Sequence, residues 1–570
     1  MNPFEILHDY RTGNAIGRDD IATAALLVEM ARRDGAAEPE PLAWLGFCLA
    51  LRTVRDGHTC VDLDRIGEWS GEIVPGAADP AAWPTDAAPW VTALASATAL
   101  VGRPGDRKPF ILDGRRLYLA RSLAEEEAVA KAVAGRAVRG RIQILLGGPG
   151  TGKTTKVAQD LVQRFANAEA AGSELVVALA APTGKAAARM AEALQQACQG
   201  KAVKAAPEVI ARIDQLKPTT VHRLLGYRPG RREQFEYHAG NPLPYALVIV
   251  DEASMLSSSM MHHLLAAVRQ DAEIMLVGDP DQLASVDAGT VLGDLATFAS
   301  PECADHPLHG CITTLTMCHR TESAAILELA AAIRAGDGEQ AVAILKAGDG
   351  PVAWVDPAEK QKLDELIDLV GSHARELRTL ARGHDAAAVL ATQARLQVLC
   401  GHRQGQMGVS GWNARVERQL DLRPGFPWYT GRPVMVTRNN PALRLANGDV
   451  GVVMSDNDHR TAVFGTVNTS AQPLRLPVAR LEDIATVHAL TIHKSQGSEY
   501  GHAIVVLPER ASRIVTRALL YTGVTRARHK VTVVGSPEVI KEAVATKIRR
   551  ATALEDRLRC QGAGCDGPNS

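Results

Sequence analysis

Aromatic side chains are scarce: Phe, Trp and Tyr together make up 4% of the 570 residues, so the cores must be built from aliphatic side chains and alanine. Long hydrophobic runs are also missing. The longest early candidate, Trp44 to Leu51, is closed by Arg52, well short of the about 18–20 apolar residues that span a bilayer, and no membrane partner is expected. Met1-Asn2-Pro3-Phe4-Glu5 lacks the basic stretch of a secretion signal. The nine cysteines are scattered, no CxxC pair occurs, and Cys560 and Cys565 share a Gly-rich tail without a nearby His. Reduced thiols in a cytoplasmic protein are therefore expected, without a disulfide framework or zinc site. Neither sign of charge is in excess, with 63 Lys and Arg against 64 Asp and Glu. Any nucleic acid would have to be held by a local patch. At 46% hydrophobic and 22% charged residues, the composition excludes a disordered chain, a collagen-like fibre and a coiled-coil rod.

What is present changes in texture along the chain. Residues 1–115 read as a mostly helical unit, with apolar faces over Ile21 to Arg32 and Pro41 to Arg55. A Pro-, Gly-, Ala- and Asp-rich loop covers Pro75 to Pro89, and Asp113-Gly114 between two apolar runs signals a hairpin. No acid–base or phosphate constellation occurs in this unit, so it is either a packing brace or a docking module.

From Arg141 onward, strand-length apolar runs alternate with helical patterns: Ile142 to Leu146, Leu175 to Ala181, Ala246 to Val250 and Ile274 to Val277. That alternation predicts a parallel sheet built from βαβ units. A second series, beyond about residue 312, includes Ala387 to Leu390, Leu396 to Cys400, His502 to Leu507 and Val531 to Val534. Closely spaced strands with Gly, Asn and Asp turns between Trp428 and Ile484 read as a small β-barrel. The expected division is thus 1–115, 116–311 and 312–570, with the barrel near 428–485 inserted in the last part. The run Glu125-Glu126-Glu127 is expected to be a solvated helix face.

The chemistry is concentrated in a few short motifs. Gly147-Gly148-Pro149-Gly150-Thr151-Gly152-Lys153-Thr154 is a full GxxxxGK[ST] match between an apolar strand and a helix beginning at Thr155. Glycines let backbone N–H groups turn toward phosphate oxygens, and the helix N-terminus adds positive charge. Lys153 is placed to reach the β- and γ-phosphates, and the Thr154 hydroxyl to join a Mg2+ shell. The apolar run Ala246 to Val250 finishes with Asp251-Glu252, putting two carboxylates at the sheet edge where α/β folds bind ligands. Asp251 is expected to hold Mg2+ and Glu252 to activate water. A third strand leads into Gly278-Asp279-Pro280-Asp281-Gln282, whose amide can bond both a γ-phosphate and a water.

In this order the motifs resemble those of superfamily-one DNA helicases, most closely the RecD branch. Further segments carry the likeness: Ala181-Pro182-Thr183-Gly184-Lys185-Ala186-Ala187, Thr220-Val221-His222-Arg223-Leu224-Leu225-Gly226, His319-Arg320, Thr491 through Glu499, and Tyr521 through Arg528. The resemblance runs from about residue 110 to 535. It implies an α/β fold of two RecA-like P-loop domains, a helical N-terminal domain and an inserted SH3-like β-barrel. It implies ATP and Mg2+ as cofactors, with Gly147 through Thr155 cradling the phosphates and Lys153, Glu252, Gln282, Arg320 and Arg526 carrying catalysis. Arg526 falls in the arginine-finger position. Thr183, Thr220, His222, Thr491, His493, Lys494 and Ser495 fall where the family grips single-stranded DNA.

The resemblance also implies 5′→3′ movement on single-stranded DNA from DNA ends, and membership of a heterotrimer with RecB and RecC subunits. One departure is evident: relatives usually carry a Gln ahead of the P-loop that reads adenine, and none lies between Arg121 and Arg141. The segment near 226–242, which mixes Arg with Tyr227, Phe235 and Tyr237, is either a hairpin facing the DNA fork or an exposed loop. A stand-alone helicase and a P-loop switch that does not unwind DNA are the competing readings.

Overall fold

Successive residues of a strand point to opposite faces of its sheet, so a strand covered on both sides reads as a continuous apolar run. Two such sheets organise the chain. The computed structural model describes residues 5, 7, 16–67, 83–199, 205–228, 235–316, 324–348, 350–422, 427–456, 459–465, 472–510 and 512–562.

The first sheet is six-stranded, in the order Ile312–Leu315, Ile142–Gly147, Glu273–Gly278, Leu247–Val250, Val177–Ala181, Thr219–Thr220, and every pairing is parallel. Ile144, Val248, Val250, Ile274 and Leu276 pack into the core on one face, whereas Leu145, Leu247, Ile249, Met275 and Val277 pack into the core on the other. The strand Ile312–Leu315 pairs with Ile142–Gly147, so this sheet extends past the boundary expected at 311. The second sheet is five-stranded and parallel, in the order Val352–Val355, Ala527–Val534, Tyr500–Val506, Leu396–Cys400, Ala489–Thr491. Leu399, Val505 and Val533 alternate with Val398, Ile504 and Val534 between its two cores.

The region expected to be a barrel is a five-stranded antiparallel sheet, ordered Leu474–Pro477, His459–Phe464, Val450–Asp456, Pro433–Val436, Ile484–Thr486. The N-terminal unit holds two long helices, Arg18–Arg33 and Pro41–Arg55, against a four-stranded sheet ordered Cys60–Asp62, Arg116–Leu119, Phe110–Asp113, Val101–Gly102. The hairpin is present, with Asp113 opposite Arg116 and Gly114 at φ 57° in the turn. The other strands of this unit are too short to leave a period in the sequence. Part of the loop expected over Pro75 to Pro89 lies outside the described residues.

Two expectations fail. Ala387 to Leu390 is not a strand but part of the helix Ala386–Arg395. The Asp385 carboxylate accepts from the Ala388 N–H at 3.0 Å and starts the helix, and a short apolar run does not by itself separate a buried helix from a buried strand. Glu126 is not solvated either. It is 1% exposed and accepts from Thr59 Oγ1 (2.7 Å), Tyr118 Oη (3.1 Å), Thr552 Oγ1 (3.1 Å), the Ala553 N–H (3.3 Å) and Arg557 Nε (3.2 Å). The segment supplying the last three donors returns from the second sheet. Its Ala551 and Ala553 join the N-terminal core, and its Leu554 and Leu558 join the core of the first sheet. Among the described residues no helix is long and apolar enough to cross a membrane.

Candidate functional site

At the end of the strand Ile142–Gly147, Gly150 and Gly152 adopt φ of 76° and 84°, where a side chain would be strained. That turn delivers the chain directly into the helix Lys153–Ala170, setting a helix N-terminus at the edge of the parallel sheet. Lys153 Nζ donates to the Gly147 carbonyl at 2.7 Å and the Gly148 carbonyl at 3.0 Å, so the ammonium lies along the loop it belongs to. Thr151 Oγ1 donates to the Gly148 carbonyl at 2.9 Å.

The loop opens onto a cleft of about 470 Å3 between the two parallel sheets. Pro149, Gly150, Gly152, Lys153, Thr154, Thr155, Asp251, Glu252 and Gln282 line it from the first; Gly497, Glu499, Arg526 and Arg528 line it from the second. An adjoining cavity of about 560 Å3 takes Gly148 and Thr151 together with Leu315, Ile326, Tyr521 and Arg528. The predicted P-loop residues from Gly148 to Thr155 thus line this cleft or the cavity beside it, and Gly147 ends the strand behind them with its carbonyl on Lys153 Nζ.

Asp251 follows the fully buried strand Leu247–Val250. Its backbone N–H is tied to the Ala180 carbonyl at 2.9 Å, and its Oδ1 accepts from the Glu252 N–H at 2.8 Å. Burial and the neighbouring Glu252 push the Asp251 carboxyl above its ordinary range, while the Lys153 charge pulls it back. An acid in that position is favoured as an anion once a cation stands beside it. Glu252 sits at φ 52°, ψ 39°, one of three non-glycine residues with positive φ among the described residues. Strain at a residue whose side chain lines a cleft points to function.

Gln282 connects the two halves. Its Nε2 donates to Asp279 Oδ2 at 3.0 Å, and its Oε1 accepts from Arg526 Nη2 at 3.1 Å. Asp279 Oδ2 also accepts from Tyr521 Oη at 3.1 Å, the Leu283 N–H donates to Thr522 Oγ1 at 3.0 Å, and Gln496 Nε2 donates to the Leu283 carbonyl at 3.0 Å. Arg526 is 3% exposed and is aimed by the carbonyls of Thr522 (3.0 Å) and Ser498 (3.3 Å). A cation from one sheet therefore reaches the glutamine of the other beside the P-loop lysine. Glu499 adds a further bridge, paired with Arg528 at 2.8 Å and with Arg189 of the first half at 3.5 Å. Arg320 lies outside the described residues.

The predicted DNA contacts separate into two groups. Thr183, Thr220 and His222 line one cavity of about 810 Å3, with Tyr227, Phe235 and His263 as an aromatic wall. Ring centroids in that wall are 4.8 to 6.2 Å apart. Thr183 Oγ1 and Thr220 Oγ1 also accept from the Ala186 and Arg223 N–H groups, each at 3.2 Å, and so begin helices. Tyr227 and Phe235 flank residues outside the described set, so the form of the whole 226–242 segment is not described. Thr491 ends the strand Ala489–Thr491 of the second sheet, and His493, Lys494 and Ser495 belong to the turn that follows it. Lys494 is exposed, and His493 is held below its ordinary pKa by burial. Ser495 is fully buried and donates to the Ile492 carbonyl at 2.7 Å, which makes it a prop for the turn.

Sequence reasoning missed Asp279, Tyr521, Thr522, Arg189, Glu499 and Arg528 as members of the cleft. All but Arg189 stand inside quoted motifs, so the signal was present. The pairing between motifs was not.

Three segments of the chain match known families. Residues 14–118 match the family described as "RecBCD enzyme subunit RecD, N-terminal domain", residues 125–288 an AAA domain, and residues 486–534 a UvrD-like helicase C-terminal domain. The RecBCD enzyme subunit RecD of Mycolicibacterium smegmatis is 40% identical over 563 residues, covering 92% of this chain and 95% of that one. Its counterpart in Mycobacterium tuberculosis is 38% identical over 564 residues, covering 93% of each. The ATP-dependent RecD2 DNA helicase of Deinococcus radiodurans is 33% identical over 449 residues, covering 77% of this chain but 53% of that one. Among solved structures, a Bacteroides Pif1 helicase with ADP-AlF3 and single-stranded DNA aligns over 74% of this chain and 94% of that one, at 16% identity and a TM-score of 0.39.

Proposed function

The chain belongs to the RecD family of ATP-dependent DNA helicases, and on that premise we propose that it hydrolyses ATP between its two parallel sheets to travel 5′→3′ along single-stranded DNA, in the cytoplasm, as a partner of RecB and RecC. The observation that carries the mechanism is the contact from Arg526 to Gln282 across the cleft.

Residues Gly147 through Thr155 cradle the triphosphate, and Lys153 exchanges its two carbonyl partners for phosphate oxygens. One half-buried carboxylate (Asp251) and one hydroxyl (Thr154) lining the same cleft fit Mg2+, which usually takes one or two carboxylates and completes its shell with water and phosphate. When bound there it would neutralise charge on the β- and γ-phosphate oxygens. Glu252 orients the attacking water and takes its proton. Gln282 bonds the γ-phosphate, and Arg526 stabilises the charge that spreads over its oxygens in the transition state. Arg320 is proposed as a second arginine of that kind.

Thr183, Thr220 and His222 would grip DNA on the first half, and Thr491, His493 and Lys494 on the second, with Ser495 supporting their turn. Because the cleft network ties Leu283 to Thr522 and Gln496, closing the cleft on nucleotide moves one grip relative to the other. The small antiparallel sheet reads as a barrel-like module at the rim of the DNA cavity, to which it contributes Asn439, Ala446 and Asn447. Residues 1–115 are proposed as a docking unit, 116–311 and 312–570 as the two motor domains. Near-complete coverage of relatives named as RecBCD subunits, against 53% of the RecD2 helicase, favours the heterotrimer over a stand-alone motor.

Strand displacement on forked substrates tests the reading. Unwinding that needs a 5′ tail and ATP supports it, and DNA binding without displacement, alone or with RecB and RecC, overturns it. Co-purification with those subunits tests the partner assignment separately.

A further inference from the structure

The loop 285–289 begins three residues after Gln282 and runs to the helix Val291–Ala296. Its Asp287 and Ala288 line the DNA cavity with Thr220 and His222, and the Asp287 charge acts on the His222 ring against the lowering effect of burial. One short loop therefore connects the nucleotide cleft to the DNA cavity.

The loop is held chiefly through its carbonyl groups. Arg550 donates to three of them: Ser285 at 2.5 Å, Asp287 at 2.8 Å and Gly289 at 2.9 Å. A planar guanidinium can serve several acceptors at once in a fixed geometry. Further ties are the Ser285 hydroxyl to the Asp287 carbonyl at 2.7 Å within the loop, and the Gly289 N–H to the Gly57 carbonyl and the Ser258 N–H to the Ala288 carbonyl, each at 2.9 Å. Gly57, at φ 91°, fits flat against Arg550, since an added Cβ would stand 2.7 Å from the guanidinium carbon. Arg550 lies after the helix Pro537–Ala545 of the second half and before the helix Leu554–Gly562. The second half of the motor thus clamps a loop of the first, with the N-terminal unit packed on the clamp.

We propose that Arg550 is a positioning residue that couples DNA occupancy to ATP hydrolysis by holding loop 285–289 in register between Gln282 and the DNA cavity. The proposal rests on the helicase reading above. Arg550 touches neither the P-loop nor Arg526, so its loss leaves the hydrolytic groups in place and removes the path by which bound DNA acts on them.

The test is ATP turnover by the full chain with and without a single-stranded oligothymidylate, for the parent, Arg550→Ala and Arg550→Lys. For Arg550→Ala we expect a DNA-free rate within about twofold of the parent, an unchanged KM for ATP, and a stimulation ratio reduced about tenfold, an ordinary size for coupling between sites. Arg550→Lys keeps the charge and the stem but not the fork, and a ratio lowered about threefold is expected. Equal proportional loss of the DNA-free and stimulated rates in Arg550→Ala, or a parental ratio in either variant, overturns the proposal. Should Arg550→Ala fail to fold, the ratio in Arg550→Lys decides. A parent chain whose turnover ignores DNA would instead overturn the helicase reading, and this inference with it.

Discussion

Asp251 and Glu126 are both acids set among apolar strands and helices, Asp251 half-buried at the wall of the cleft and Glu126 fully buried, but their surroundings differ. Glu126 has five donors drawn from the N-terminal unit and the returning C-terminal segment. The hydrogen bond found for Asp251 comes from the next N–H in the chain, with a second carboxylate beside it and Lys153 bonded elsewhere. A buried anion surrounded by donors is a joint, since its bonds are complete within the fold. A half-buried acid without them stores unfavourable electrostatics that a bound cation and its phosphates can relieve. What tells structure from function in this pair is the set of donors around each acid.

Variants can break or sharpen that contrast. The largest effect is expected in the cleft. Arg526→Ala should lower ATP turnover ~10³-fold or more while nucleotide affinity stays close to the parent's, and Lys153→Ala should abolish turnover with an unchanged melting profile. Equal losses of affinity and turnover in Arg526→Ala would reduce that arginine to a binding group. Next comes the joint. Glu126→Ala takes one of three carboxylates from Arg557, which keeps Asp113 and Glu127, and removes the acceptor of Thr59, Tyr118, Thr552 and the Ala553 N–H; it should cost about 3 kcal/mol in chemical denaturation, with the KM for ATP unaltered.

Asp251→Asn should behave in the opposite sense. Removing a crowded acid should add about 1 kcal/mol of stability at neutral pH while turnover is lost. A destabilised Asp251→Asn would erase the distinction between the two acids.

A last effect, small per pH unit at about 1.4 kcal/mol or less, concerns Asp294, which shares the Thr552 hydroxyl with Glu126. Burial pushes the Asp294 carboxyl from its ordinary 3.8 up to about 7, with the Thr290 and Thr552 hydroxyl bonds opposing. Its folded pKa exceeds the unfolded one, so between those values the folded chain binds a proton that the unfolded chain does not. Stability from this group therefore falls as pH rises from about 4 to about 7 and is level above, with a slope of at most about one proton. Denaturation midpoints across that range should show the slope, and Asp294→Asn should flatten it.

The cleft was legible in the sequence because its parts are local. Lys153 follows its glycines directly, and Asp251 ends an apolar strand, so residue type and strand context suffice to find them. The two parallel sheets were legible for a related reason: strands covered on both faces leave unbroken apolar runs such as Leu247 to Val250. The joint at Glu126 was not. Its glutamate run has the look of a solvated helix face, and three of its donors lie more than four hundred positions downstream. Ala386–Arg395 was misread because alanine and valine suit a short buried helix as well as a strand. Tyr521 and Asp279 stood inside recognised motifs, yet no spacing rule pairs a tyrosine on a helix of the second half with an aspartate after a strand of the first.

The joint also sets an order in time. Thr552, Ala553 and Arg557 follow Glu126 by 426, 427 and 431 positions. At about 5–20 residues per second a ribosome needs roughly 20 to 90 s to make that stretch. Throughout that interval the helix carrying Glu126 has emerged with only the Thr59 and Tyr118 hydroxyls available to it, and its carboxylate must keep its water. The N-terminal unit can gather its own aliphatic core early, but its seat on the motor is completed only after residues 552–557 have been made and that segment arrives to displace the water.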